Sequence, residues 1–594
     1  MATEQPVDKG TYPDFSEVLR LSYLSAVSPS MGLPLLPTAY NLEDVKKADF
    51  DAILHASETL PQAQELLAVR QLYALVLKNR SFGTATDKTR AAAAIKKFKI
   101  VQRRNRITER RLNYYLFKHP FRMRASIGEL MGTAQMELYR LLGDGPSQED
   151  WGSFVRGKVW GPGVVQGLQP ITMVIPAPKG KRGAKAEIVR LKDTNAYGKL
   201  ALTNVVTTTA ECLRTFGPML LQGQYGQYLL NNNTRGCIVE SSQGTTVPKS
   251  AVTDRFIATE PLFNTMAQQG ISAMLDRYLV SWGINLRDQS LNRQLAKMAS
   301  DLGFHPKSWS TIDLSSASDT VTEPLVRYLL PRGWYRLLNA ARTRLCTIEG
   351  EVVADYSSFS TMGNAFTFPL QCLVFCALTR AAMKLSGCWG GLYRVYGDDI
   401  IAPLGSTLLL VEALRFCGFS VNTDKSFITG FFRESCGGDY LAGEDVRPVY
   451  LDEGLGRRDK RHILFNRLQR VLPAHPVLSY LLANESRPLV GPATHPDNVE
   501  PRWYEAPAWK VADKGFWNED LQCSEYRLLG LTPTSLKYKR KDVLRSYLAD
   551  LSGSRNDFKG RYHDLRGTVK FHVRVSRVIG GCRLPAYSPY WYHA

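Results

Sequence analysis

The chain has 594 residues, 44% apolar and 10% aromatic, which excludes a disordered polyelectrolyte and leaves room for about three to four compact units around a large core. Lysine and arginine number 75 against 55 acids, and a formal charge of +20 favours a polyanionic partner, because each neutralised phosphate releases condensed counterions. Ten scattered cysteines without a Cys-x-x-Cys pair, and nine histidines without ligand spacing, argue against zinc sites and disulfides and for thiols in a reducing compartment.

In chain order, Met1 to Lys9 lacks a secretory pattern, and the first part reads as largely helical. Lys96, Lys97, Lys99, Arg103, Arg104, Arg106, Arg110 and Arg111 form a dense basic run, followed by Tyr114, Tyr115 and Phe117. Either a nucleic-acid backbone lies on this run or it is a solvated helix face. Pro176 to Lys185 is a basic loop, a fingertip or hairpin connection. From about Trp282, strand-like runs alternate with helical patterns, so the fold class is α+β. Trp309 to Leu314 reads as a strand. Phe366 to Met383 is the longest apolar segment. Pro369, Gln371 and Arg380 interrupt it, so it reads as a buried helix, and the protein as intracellular without membrane contact. Tyr393 to Ala402 reads as a β-hairpin turning at Gly-Asp-Asp. Pro533 to Gly567 is charged and helical in part, and Val569, Phe571, Val573 and Val575 alternate with polar residues as a half-exposed strand.

Asp313, Asp398 and Asp399 are the informative acids. Asp398 lies about 85 positions after Asp313, room for a helix and a returning strand, so adjacent strands would cluster the three. Clustered carboxylates repel unless cations fill the gap. Few hard oxygen ligands suit magnesium, and two such ions serve in-line phosphoryl transfer. A lone Gly-Asp-Asp is more often a structural turn, because aspartate favours turns. Its company is what makes it specific. Asp313 and Asp319 lie in Asp-Leu-Ser-Ser-Ala-Ser-Asp; then come Thr361-Met362-Gly363-Asn364-Ala365-Phe366-Thr367, Tyr396-Gly397-Asp398-Asp399, and Lys425 in Asn-Thr-Asp-Lys.

That order resembles motifs A to D of viral RNA polymerases. Phe432-Arg433-Glu434-Ser435-Cys436-Gly437 resembles motif E, and Val247 to Ser250 with Thr253 to Ala258 resembles motif F. Trp282-Gly283-Ile284, Asp313-Leu314-Ser315 and Met362-Gly363-Asn364 resemble the replicase β subunits of single-stranded RNA bacteriophages, the levivirus family, from about Val247 to about Leu451.

The resemblance implies a right-hand polymerase with fingers, palm and thumb. Expected divisions are roughly 1–245 for fingers and N-terminal region, 246–298 for motif F and the link, 299–431 for the palm, and 432–594 for motif E and thumb. It implies Asp313, Asp398 and Asp399 as ligands of two magnesium ions, with manganese a possible substitute. Lys425 becomes a candidate proton donor to pyrophosphate. Lys249 and Arg255 face the incoming triphosphate, and Asp319, Gly363, Asn364 and Thr367 lie near the ribose or template. Lys96, Lys97, Arg103, Arg104 and Arg110 are the RNA-channel candidates. It further implies RNA template and product, ribonucleoside triphosphates, primer-independent initiation near a C-rich 3′ end, host elongation factors Tu and Ts, a ribosomal RNA-binding protein, and the cytoplasm of an infected bacterium. Two departures stand out: five residues separate Asp313 from Asp319 where many viral polymerases have four, and Met362 replaces the serine common before the motif B glycine.

A reverse transcriptase shares the palm, but only Leu, Ser, Ser, Ala and Ser stand between Asp313 and Asp319, without an aromatic gate against the 2′-hydroxyl. A non-enzymatic RNA-binding protein would explain the charge but not the ordered motifs.

Overall fold

The computed structural model describes residues 86–157, 205–222, 235–450 and 458–492 almost continuously, with separate strands and single positions outside these ranges. The Pro176–Lys185 loop and most of Pro533–Gly567 lie outside the described residues.

The chain is α+β. A 26-residue helix, Asp87–Leu112, is capped by the Thr86 hydroxyl accepting from the Thr89 N–H, and Ala125–Leu142 and Gln148–Gly157 follow. The helices Ala210–Leu221 and Leu262–Ser281 extend the helical expectation for the first part, but strands interrupt it. Ile171–Ile175 pairs antiparallel with Glu187–Leu191, Val205–Thr208 runs parallel to Arg235–Ile238, and Ser241–Pro248 forms a hairpin with Asp254–Thr259. These segments are rich in β-branched residues, which favour a pleated surface over a helix.

The central layer is a three-stranded antiparallel sheet in the order Arg394–Tyr396, Asp399–Pro403, Trp309–Ile312. Leu314–Ser315 pairs instead with Ser420–Val421. The strand expected over Trp309 to Leu314 is therefore broken at Asp313, where the chain changes partner and the Asp313 amide is diverted to the Ser426 hydroxyl at 3.0 Å.

The apolar segment near 366–383 is the helix Thr367–Leu385, buried along nearly its whole length. By length and hydropathy it would cross a membrane, but most of it is enclosed by protein. Leu370, Leu373, Phe375 and Leu378 pack into the largest core together with Trp334, Met274, Leu138 and Ile400. Each such side chain contributes roughly 1.5–3 kcal/mol on removal from water. A second core joins Phe427, Phe432, Leu464 and Leu468 to Leu66 and Leu67, so part of the N-terminal segment packs against the C-terminal region. Gln71 fastens that contact: its amide donates to the Val449 carbonyl and accepts from the Val449 N–H, both at 2.8 Å.

The end of the chain carries the antiparallel strands Cys523–Pro533 and Phe571–Ile579. The expected Val569–Val575 strand thus appears from Phe571 onward, while Val569 and Lys570 lie outside the described residues.

Candidate active site

Strand register decides where the acids meet. Ile312 lies opposite Ile400, so Asp313, one residue on, comes level with Asp399 across the central pair. On the other side Tyr396 pairs with Asp399, leaving Gly397 and Asp398 as a two-residue turn. Gly397 has φ +63°, and a Cβ there would meet the Phe368 ring at 2.5 Å, so the turn requires glycine. The hairpin and neighbouring-strand expectations are both met.

The carboxylates differ in environment. Asp313 is half-buried, and its Oδ2 accepts from Asn422 Nδ2 at 2.7 Å. Burial lifts its pKa to about 6, opposed by the Asn422 bond and reinforced by Asp398. Asp399 is lifted to about 7 by burial and then by Asp398, while the Cys436 N–H, donating at 3.1 Å, pulls the other way. Asp398 is exposed at the tip. Oxygens of Asp313 and Asp399 are thus engaged by protein donors, and among the described residues no three acidic, histidine or cysteine side chains close on a common point. The donor set is nonetheless the hard-oxygen kind that fits magnesium, and the mutual repulsion of these acids is what a divalent cation offsets.

Cations stand opposite. Lys425 Nζ lies 3.4 Å from Glu434 Oε1, and the Glu434 charge raises the lysine pKa, with burial opposing and Asp313 assisting. Lys249 leaves the strand Ser241–Pro248 at the tip of its hairpin, and Arg255 sits across from Val247. The Lys249 pKa is lowered by burial and then by Arg255, Lys425 and Lys97, while Asp398 opposes. The Asp398 charge is thus felt at Lys249 and the Asp313 charge at Lys425, while Arg255 shares the Lys249 hairpin.

The segment around Gly363 is built onto the same hairpin. The Ala258 N–H donates to the Met362 carbonyl at 2.8 Å, and Gly363 has φ +116°, with the Ala258 carbonyl oxygen 2.1 Å from where a Cβ would stand. Asn364 is buried: its Oδ1 accepts from the Phe366 N–H at 3.0 Å, and its Nδ2 has no hydrogen-bond partner. Thr367 donates from Oγ1 to the Thr361 carbonyl at 2.9 Å, closing the helix start. Asp319 ends a short 3-10 turn, and burial lifts its carboxyl to about 7 against a Met362 N–H and the charge of Lys97. Its Oδ1 is buried without a hydrogen-bond partner among the described residues. Lys96, Lys97, Arg103, Arg104 and Arg110 are exposed along the Asp87–Leu112 helix, whereas Arg111 caps another helix through the Arg415 and Phe416 carbonyls at 3.3 and 2.8 Å.

Residues 164–473, just over half of the chain, match the family described as RNA replicase, beta-chain. The chain belongs to that replicase family. Its relatives include the RNA-directed RNA polymerase beta chain of Escherichia phage MS2, 36% identical over 285 residues, which are 47% of this chain and 50% of that one. The RNA-directed RNA polymerase subunit beta of Escherichia virus Qbeta is 40% identical over 210 residues, 35% of each chain. The similarity thus spans half or less of the length of these replicase relatives. Among solved structures, the RNA-dependent RNA polymerase of a human picorbirnavirus overlaps 41% of this chain and 56% of its own at 13% identity and TM-score 0.31. The BmCPV RNA-dependent RNA polymerase at elongation state overlaps 60% and 33% at 11% identity and TM-score 0.38. Both overlaps are partial.

Asn422, Glu434 and the Cys436 amide contact the candidate site residues Asp313, Lys425 and Asp399, and the sequence motifs give none of the three a role. All three lie in or beside the motifs, but nothing local marks an asparagine or a backbone N–H as the partner of an acid over a hundred or some tens of residues away.

Proposed function

We propose that this chain is an RNA-directed RNA polymerase that replicates and transcribes a single-stranded viral RNA genome. The supporting observation is the register that sets Asp313 level with Asp399 beside Asp398, facing Lys249, Arg255 and Lys425.

In this reading Asp313, Asp398 and Asp399 hold two divalent cations, magnesium or manganese in its place, which when bound lower the pKa of the attacking 3′-hydroxyl and neutralise the leaving pyrophosphate. Lys249 and Arg255 attract and orient the triphosphate through charge-assisted hydrogen bonds. Lys425, a cation whose pKa Glu434 raises further, delivers its proton to pyrophosphate, a contribution of about a hundredfold or more. The unpartnered Asp319 Oδ1 and Asn364 Nδ2 offer an acceptor and a donor to a ribose hydroxyl, with Gly363 giving close approach and Thr367 fixing the turn. Lys96, Arg103, Arg104 and Arg110 line the RNA path, so affinity falls steeply with salt. The palm is 299–431, motif F and its link 246–298, fingers and N-terminal region 1–245, and motif E with thumb 432–594. The setting is the cytoplasm of an infected bacterium, initiation needs no primer, and elongation factors Tu and Ts with a ribosomal RNA-binding protein complete the enzyme. Purification of the lone chain as a fully active monomer would remove the host factors from this picture.

The test is extension of a short RNA template by the full chain with four ribonucleotides and magnesium, reading product length. Asp398→Asn abolishes addition while RNA affinity stays within about twofold. Normal synthesis by that variant overturns the metal assignment, and preference for dATP over ATP turns the reading towards reverse transcription.

A further inference from the structure

We propose that Lys97, on the Asp87–Leu112 helix outside every polymerase motif, is a third cationic arm on the incoming triphosphate beside Lys249 and Arg255. This rests on the polymerase reading.

The helix is clamped across the site at three points. Near its start, buried Arg90 lies 3.7 Å from Asp254, at the head of the strand Asp254–Thr259. At mid-length the Phe98 ring stacks on Phe256 with centroids 3.8 Å apart and planes 22° from parallel. Further on, Asn105 Nδ2 donates to the Asp319 carbonyl at 2.6 Å, and Gln102 Nε2 donates to the Ser358 hydroxyl at 2.8 Å. The first two clamps join the helix to the strand that carries Arg255, and the third joins it to the turn that carries Asp319. Lys97 is next to Phe98 on the helix and Arg255 is next to Phe256 on the strand, so the ring stack fixes the backbone from which each cation leaves, with Arg255 on the face of the strand opposite Phe256.

Charge places the Lys97 side chain more closely. It is exposed, it lowers the affinity of Lys249 for a proton, and it favours the ionised form of the Asp319 carboxyl. The clamped helix thus carries its charge within reach of both the hairpin-tip lysine and the candidate ribose acid. The charges of Lys97, Arg255 and Lys425 are all felt at Lys249. The acids near them are Asp398 for Lys249, Glu434 and Asp313 for Lys425 and Asp319 for Lys97, and burial and like charge still prevail at Lys249. Cations held this close repel, and a polyphosphate removes the repulsion. The neighbouring Lys96 and Lys99 leave the helix about 100° and about 160° round from Lys97, and Arg103 lies about 120° round and roughly 9 Å further along. Part of the basic run thus belongs to the nucleotide site and not to the RNA path.

The experiment uses the full chain with Lys97→Ala, Lys97→Gln and Lys97→Arg. Lys97→Ala and Lys97→Gln are expected to raise KM for each of the four ribonucleotides about tenfold with kcat within about twofold, because a phosphate contact ignores the base. Inhibition by inorganic pyrophosphate weakens by the same factor, and Lys97→Arg restores both. Unchanged KM and pyrophosphate inhibition overturn the proposal. So does a loss that appears in template affinity and its salt slope instead. Calorimetric binding of pyrophosphate with magnesium, without template, separates this from the polymerase reading. Weaker binding by Lys97→Ala upholds the arm even where no extension occurs, and equal binding by an extending parent and the variant rejects the arm alone.

Discussion

Glu260→Gln is expected to remove the effect of pH on stability at one buried point. Glu260 follows the strand Asp254–Thr259 and is 3% exposed. Its Oε1 accepts from Thr343 Oγ1 at 3.1 Å, while Oε2 is buried without a hydrogen-bond partner. Burial lifts its pKa from 4.5 to about 7, with Thr343, Gln268 and Arg342 opposing. A carboxyl whose folded pKa lies above its unfolded value contributes stability that is complete below pH 4.5 and is lost as pH rises through 7. At about 1.36 kcal/mol per unit the full loss is about 3 kcal/mol, most of it, about 2.5 kcal/mol, between roughly pH 5 and pH 8. Glutamine keeps the acceptor for Thr343 and cannot ionise, while its buried amide N–H costs about 1 kcal/mol. The variant should therefore be slightly less stable than the parent at pH 5 and more stable at pH 8. Urea unfolding of both proteins at both pH values measures this. If the variant-minus-parent difference is the same at the two pH values within about 1 kcal/mol, the carboxyl is not titrating as argued.

Gly363→Ala should cost about 3 kcal/mol or more and reduce nucleotide addition, because its Cβ would stand 2.1 Å from the Ala258 carbonyl oxygen at φ +116°; a midpoint within about 0.5 kcal/mol of the parent would contradict that contact. Arg433 is wholly buried, has no acid partner among the described residues and donates to the Trp309, Gly430 and Phe432 carbonyls at 2.9, 2.8 and 2.7 Å, and burial lowers its pKa to about 10. Arg433→Lys loses the planar fork and should lower stability by about 2 kcal/mol, with chemical denaturation as the measure. Trp334→Ala removes the largest wholly buried ring and its 3.0 Å bond to the Leu142 carbonyl, and should cost about 3–5 kcal/mol in the same assay.

Local chemistry made several features readable from the chain alone. Gly397 with Asp398 between apolar runs dictates a tight hairpin wherever the segment lies, since only glycine takes the required φ without strain. The apolar run that becomes Thr367–Leu385 is too hydrophobic to remain in water and is enclosed accordingly. The strand at Trp309 was legible, but its break at Asp313 was not, because the break arises from a change of partner and from Ser426, over a hundred residues on. Asn422 on Asp313, the Cys436 amide on Asp399, Glu434 on Lys425 and the clamped helix that delivers Lys97 are likewise tertiary decisions. Periodicity and turn propensity are properties of neighbouring residues, whereas which acid meets which donor depends on long loops closing in a single register, and only the packed core selects that register.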